Sequence, residues 1–249
     1  MDAAEADALK KLESKLKDYR QGRVDPVTRI YWDMHYEINL RMAIENTKEG
    51  DTVLDVGCGT GSMMIDLAKA GRKCCGIDPL YEVSLLAAQK KAREENADLP
   101  LIRAFSEHMP IKAGSFDAIL LLSTLQHVAD QKETLKELRR IMKKTGVMLI
   151  SVPMSKNIFS LFKRGSKPEH FTREYDVNLV IETLIESHFK IIELRGCGVF
   201  PPLSHKALYV CHKLFGSSFA RRIIEMLDVV GSRFSSTASS IIVLCKVAE

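Results

Sequence analysis

The stretch Val53-Leu54-Asp55-Val56-Gly57-Cys58-Gly59-Thr60-Gly61 constrains the rest of the chain more than any other. Its first residues read as a strand that runs straight into glycines at every second position. Ser62 to Ala70 then reads as a helix. A strand, a glycine-rich turn and a helix in that order build a loop on which a cofactor can lie. Glycine tolerates positive φ and carries no side chain, so a ligand can rest against the backbone there. The spacing is Gly-x-Gly-x-Gly, not the Gly-x-Gly-x-x-Gly of dinucleotide sites. No Lys-Ser or Lys-Thr follows, as a phosphate-binding loop requires.

Strand and helix patterns alternate without a gap from 52 to 152. After the first unit, Lys73–Ile77 reads as a strand with Asp78 at its C-terminal end, and Leu80–Glu95 as a helix. Leu101–Phe105 is a third short strand. Phe116–Leu122 is a continuous apolar run, as a central parallel strand buried on both faces requires. Lys132–Lys144 is an amphipathic helix capped by Gly146, and Val147–Val152 is a fifth strand. Such alternation gives an α/β fold with a doubly wound parallel sheet. Tyr175–Ser187 reads as a helix, and Phe189–Leu194 and Ser239–Val247 as two further strands, for a total of seven. Ahead of the core, helices are expected at 2–20 and from Thr28 to Asn46. Tyr31, Trp32 and Tyr36 on the second of these suit either core packing or a lid. Between the last two strands lie residues 195–238, too long for a plain loop. Ser204–Phe215 and Ser218–Val230 read there as helices. In the second, Phe219, Ile223, Met226, Leu227 and Val230 form an apolar face, opposite Arg221, Arg222, Glu225 and Asp228.

The length of 249 residues fits one domain of this class. We expect a single unit over 1–249: N-terminal helices or a lid at 1–47, a cofactor-binding core at 48–153, a C-terminal sheet half at 154–194 and 239–249, and a helical insertion at 195–238. A net charge of +4 is mild and does not select a nucleic-acid partner. The six cysteines form no Cys-x-x-Cys pair and read as buried free thiols of a reducing compartment. Met1 to Asp18 is charged throughout, unlike a secretory signal. No apolar run approaches the roughly 20 residues of a membrane span. These features predict a cytoplasmic protein.

Asp55 ends the first strand beside the glycines. A carboxylate there repels a pyrophosphate and suits a ligand bearing an ammonium group. Asp78, at the end of the second strand, is placed to accept hydrogen bonds from a ribose diol. It can at the same time cap the helix that follows Pro79. S-adenosylmethionine has an ammonium group, a ribose diol and no phosphate.

On these residues the chain resembles the class I S-adenosylmethionine-dependent methyltransferases. Val53 to Gly61 is similar to their first motif and Asp78 to their ribose-binding acid. Ser106-Glu107-x-Met109-Pro110-Ile111 resembles their adenine segment. Ser115-Phe116-Asp117 and Leu125-Gln126-His127-Val128 resemble their fourth strand and its loop, and Leu138 to Gly146 the turn before strand five. His170-Phe171-Thr172 and Tyr175 through Phe189 resemble a segment of small-molecule and lipid-quinone methyltransferases. The resemblance implies a Rossmann-like seven-stranded sheet with an antiparallel last strand. It implies S-adenosylmethionine as cofactor and S-adenosylhomocysteine as product. With no Cys or carboxylate at ligand spacing beside the histidines, no metal is expected. It also implies cofactor contacts from Asp55, Gly57, Cys58, Gly59, Gly61, Asp78, Pro79, Ser106, Glu107 and Ser123. One departure stands out: many relatives carry Asp one position before Ser106, where this chain has Phe105.

Methyl transfer from a sulfonium needs alignment above all, and a base only where the acceptor must lose a proton. His127, following the fourth strand, is the first candidate and His170 the second. The expected acceptor is a small or lipid-like molecule. An RNA or protein acceptor, or a non-catalytic cofactor-binding role, is the alternative. The absence of Asn/Asp-Pro-Pro-Tyr after strand four argues against amino groups of bases, and hence against nucleic acid. For 195–238 a cap over the acceptor is favoured, with peripheral membrane contact as the other reading. The basic run Lys163–Lys167 is a solvated loop or a contact for a phosphorylated group.

Overall fold

The structure is a computed structural model that describes residues 24–154, 175–198, 204–235 and 238–248. The helix expected at 2–20, the basic run Lys163–Lys167 and His170 lie outside the described residues. In chain order the elements are α1 (Pro26–Glu45), β1 (Thr52–Val56), α2 (Ser62–Lys69), β2 (Lys73–Ile77), α3 (Leu86–Glu94), β3 (Leu101–Ile102) and β4 (Phe116–Leu122). There follow α4 (Gln131–Ile141), β5 (Met142–Pro153), α5 (Val177–Glu186), β6 (Phe189–Cys197), α6 (Ser204–Phe215), α7 (Ser217–Arg233) and β7 (Ser240–Val247).

The seven strands form one sheet in the order β3-β2-β1-β4-β5-β7-β6. β1 pairs in parallel with β2 and β4, and β4 in parallel with β5. β7 runs antiparallel to β5: Met154 N–H donates to Ser239 O, while the Cys245 thiol reaches Met148 O, so one strand rises as the other falls. The order reverses between β1 and β4, and ligands of open α/β sheets bind at the carboxyl ends of strands at such a point. Ile119 and Leu121 of β4, inaccessible to solvent, sit at the centre of the core, as an apolar run without alternation predicts.

Several boundaries differ from the sequence expectation, each for a local reason. α1 starts at Pro26, not Thr28, because the Asp25 carboxylate accepts from the N–H groups of Val27 and Thr28, both at 3.1 Å, with Pro26 at the first helical position. The helix expected over Leu80–Glu95 is split. Tyr81–Leu85 is a π-helical turn and only Leu86–Glu94 is α-helical. β3 keeps two residues of the expected five. α4 ends at Ile141, and Met142 already pairs with Phe116 of β4. The register slips there, from Phe116↔Met142 to Ala118↔Val147, so Gly146 belongs to a bulge of β5 and does not cap α4. A Cβ at Gly146 would lie 3.0 Å from the carbonyl oxygens of Asp117 and Lys143.

The chain separates into two compact units. One comprises Ile38–Val152, Asn178–Leu194 and Ile242–Glu249 and carries the glycine loop. The other comprises the described residues within 24–37, 153–177 and 195–241. Within the second, Val27 and Met34 of α1 pack with Leu208 of α6 and Ile224 of α7, and Ile30 and Ile223 close the cluster. Asp228 of α7 is buried there, though helical spacing places it on the polar face. Its carboxylate accepts from Arg195 Nη2 at 2.9 Å and from the Gly198 N–H at 2.8 Å, which compensates its removal from water. Met226, expected on the packed face, is exposed. All six cysteines are free thiols. No helix among the described residues is long and apolar enough to cross a membrane.

Candidate active site

The loop between β1 and α2 is held against β2. The N–H groups of Gly57 and Cys58 both donate to Ile77 O, at 2.8 and 3.0 Å, and the Gly61 N–H closes a turn on Cys58 O at 2.9 Å. Gly57 has φ +73°, and a Cβ there would clash with the Thr124 side chain of the loop after β4. Only glycine fits. Gly59 has φ +53° as well, but nothing lies within 4 Å of where its Cβ would be. Its backbone therefore borders open space, as a cofactor cradle requires. The Cys58 side chain is buried against β2, its Sγ 2.8 Å from a Cβ built on Gly76, so only its backbone is turned to the loop.

Two buried carboxylates flank this space. Asp55, paired in register with Gly76 of β2 and Leu120 of β4, has its carboxyl pushed up to about 7 by burial, with the charge of Asp78 adding to the effect. Burial also raises Asp78, while the N–H groups of Leu80 and Gly59 hold it back. Those two bonds, Leu80 N–H to Oδ1 at 2.8 Å and Gly59 N–H to Oδ2 at 3.0 Å, show Asp78 capping the turn after β2 and bracing the glycine loop at once. Pro79 is half-buried, and its carbonyl accepts from Arg103 Nε at 3.3 Å.

On the adenine side implied by the resemblance, Ser106 is buried and its hydroxyl lies 3.0 Å from Thr134 Oγ1 of α4. Glu107 Oε1 accepts from the N–H groups of Ala129 and Asp130, at 3.0 and 3.2 Å, and so straps this loop to the start of α4. Phe105 is 55% exposed. Tyr81 is exposed too, with the Arg103 guanidinium 6.0 Å from its ring centroid. Tyr81 and Arg103 are not among the candidates that the sequence motifs mark. The signal available was an aromatic and a cation just beyond Asp78-Pro79 and β3, where the π-helical turn brings them together.

At the end of β4, Ser123 is exposed with φ +53°, and its N–H donates to Ser151 O at 2.9 Å. A serine held in the left-handed region marks local strain of the kind found at functional sites. His127 ends the short 3-10 turn Leu125–His127 and is exposed, its Nε2 3.3 Å from Gln126 Nε2. Among the described residues no group of three or more His, Cys, Asp or Glu is arranged to hold a metal ion.

Residues 54–150 match the sequence profile of the family described as "Methyltransferase domain". Residues 54–150 are therefore a methyltransferase domain. The chain is 33% identical to the ubiquinone biosynthesis O-methyltransferase of Caulobacter vibrioides over 104 residues, covering 41% of each chain. It is 28% identical to the demethylmenaquinone methyltransferase of Staphylococcus saprophyticus over 151 residues, 59% of this chain and 64% of that one. It thus spans less than two thirds of either relative. The fold is shared with an S-adenosylmethionine-dependent methyltransferase from Aquifex aeolicus, at a TM-score of 0.62 and 17% identity over 95% of this chain and 98% of that one. The donor set, an open glycine backbone and two buried carboxylates, fits S-adenosylmethionine.

Proposed function

We propose that the protein transfers a methyl group from S-adenosylmethionine to a small-molecule or lipid-like acceptor. The observation that carries this reading is the open backbone at Gly59 between the buried carboxylates of Asp55 and Asp78. When bound, the cofactor supplies a methyl group already activated by a positively charged sulfur. The chain's own residues position it. Ionised Asp55 would receive the ammonium end, and the open backbone at Gly59 would border the methionine tail. Asp78 meets the ribose diol while still holding Gly59. Buried Ser106 would offer its backbone to the adenine edge, and the Glu107 strap keeps that loop in place. Alignment and exclusion of water then account for most of the rate.

His127 is the residue we place on the acceptor side. It stands at the carboxyl edge of β4 with an exposed imidazole, where a hydroxyl acceptor could give up its proton to a ring nitrogen. The quinone-directed names of the two relatives support a small or lipid-like acceptor.

Calorimetry with S-adenosylmethionine and S-adenosylhomocysteine tests the first half. Binding of both, lost in Asp55→Asn and Asp78→Ala, is expected. Transfer of labelled methyl into cell extract, followed by fractionation, tests the second. Label in the organic-soluble fraction supports the reading, whereas label in RNA or protein overturns the acceptor class.

A further inference from the structure

We infer that the α6–α7 hairpin docks the protein on an anionic lipid surface. Only Gly216, at φ +83°, separates the two helices, so they fold back as one unit. Their inner faces are already used: Leu208 and Ile224 pack with Val27 and Met34 of α1. The outer faces should then be polar, and they are not. Leu214 is 69% exposed, Phe215 63% and Met226 69%, with Phe219, Val229 and Phe234 also exposed. The Phe215 and Phe219 rings touch across the turn, centroids 4.9 Å apart. Single exposed apolar side chains are ordinary, but a run of aromatic and aliphatic ones along a hairpin marks an interaction surface.

Charge selects the occupant. Phe219, Arg222, Met226, Val229 and Arg233 follow one another at spacings of three and four, so both arginines lie within the apolar stripe of α7. On α6, Lys206 and Lys213 are exposed, and that helix contains no carboxylate. Neither acid of α7 leaves an unpaired negative charge. Glu225 pairs with Arg221, which also pairs with Glu37, and buried Asp228 pairs with Arg195. The outward face is therefore apolar and cationic. Such a face lies in the headgroup region with its rings in the acyl boundary and its Lys and Arg stems reaching up to phosphates. A second copy is a poorer occupant, because a two-fold interface would set these cations against their own copies. The inference is independent of methyl transfer.

The test is co-sedimentation of the full chain with phosphatidylcholine vesicles, with and without phosphatidylglycerol. The chain should sediment with the anionic vesicles and stay in solution with the neutral ones. Phe215→Ser/Phe219→Ser/Met226→Ser should abolish binding. Lys213→Gln and Arg222→Gln should each weaken it about fivefold. All five positions are exposed, and circular dichroism of each variant confirms that the fold is kept. The inference is overturned if wild type ignores anionic vesicles, or if well-folded variants bind as it does. It is also overturned if the stripe instead drives a dimer in sedimentation velocity that these substitutions dissolve.

Discussion

Asp55 is held at a cost to stability. Burial pushes its carboxyl up to about 7, whereas in an unfolded chain it ionises near its ordinary value of 3.8. Between those values the folded state binds more protons than the unfolded one, so this residue's contribution falls as pH rises and levels off above about 7. Removing the charge should reverse that loss. At pH 8 ligand-free Asp55→Asn should be more stable than wild type by about 2–4 kcal/mol. At pH 4 the two should melt alike. Cofactor affinity should run the other way, strengthening in wild type as pH climbs through 7 because an ammonium needs the carboxylate. Identical melting profiles of the two proteins across this range would refute the account. The glycines divide in a similar manner. Gly57→Ala drives a Cβ into Thr124 and also strains the backbone, for a combined loss of about 2–5 kcal/mol. Thr124→Ala should recover part of it. Gly59→Ala meets open space, so only the backbone term of about 1–2 kcal/mol remains in its stability, while its cofactor affinity should collapse. Chemical denaturation and calorimetry separate the two effects.

Among the elements, α7 carries the clearest energetic asymmetry. Asp228 is buried and tied to Arg195 and the Gly198 N–H, whereas Glu225, one turn earlier, is an exposed partner of Arg221. Asp228→Ala leaves Arg195 without its anion and should cost about 3–5 kcal/mol. Glu225→Ala should cost less than about 1 kcal/mol. Urea titrations of both variants check the contrast, and equal losses would show that the Asp228 network is not what holds α7 to β6. This network also shows where sequence reading stops. Helical spacing located α7 and its length, because periodicity is local. It put Asp228 on the solvent face, because the partner that makes burial tolerable lies 33 residues away on another element. The same divide runs through the cofactor loop. Gly57 to Gly61 and Asp78 were legible, since a turn of that geometry admits few residue types. The Glu107 strap and the Tyr81–Arg103 contact were not, since each depends on how neighbouring loops meet. The π-helical turn at Tyr81–Leu85 was hidden because its residues are ordinary helix formers.

At the scale of the molecule, the glycine loop belongs to one compact unit, and that fixes what a ligand can stabilise. A compound that binds only the folded state at a hundredfold excess over its Kd adds about 2.7 kcal/mol. In a chain of 249 residues each kcal/mol is worth about 2–4 °C, so S-adenosylmethionine or S-adenosylhomocysteine should raise Tm by about 5–10 °C. The dinucleotide NAD is the informative control. It shares the adenosine but brings a pyrophosphate to a loop flanked by Asp55 and Asp78, and like charges there should deny it a comparable shift. The two ligands that bear an α-ammonium should also shift Tm more at pH 8 than at pH 6, as Asp55 becomes a carboxylate. Calorimetric scans add one further reading. If unfolding is a single transition, the whole chain moves with the ligand. If the two units melt separately, only the transition containing Ile38–Val152 should move, because that segment supplies Gly59, Asp55 and Asp78. An equal shift by NAD, or a shift confined to the other unit, would remove the glycine loop as the seat of the methyl donor.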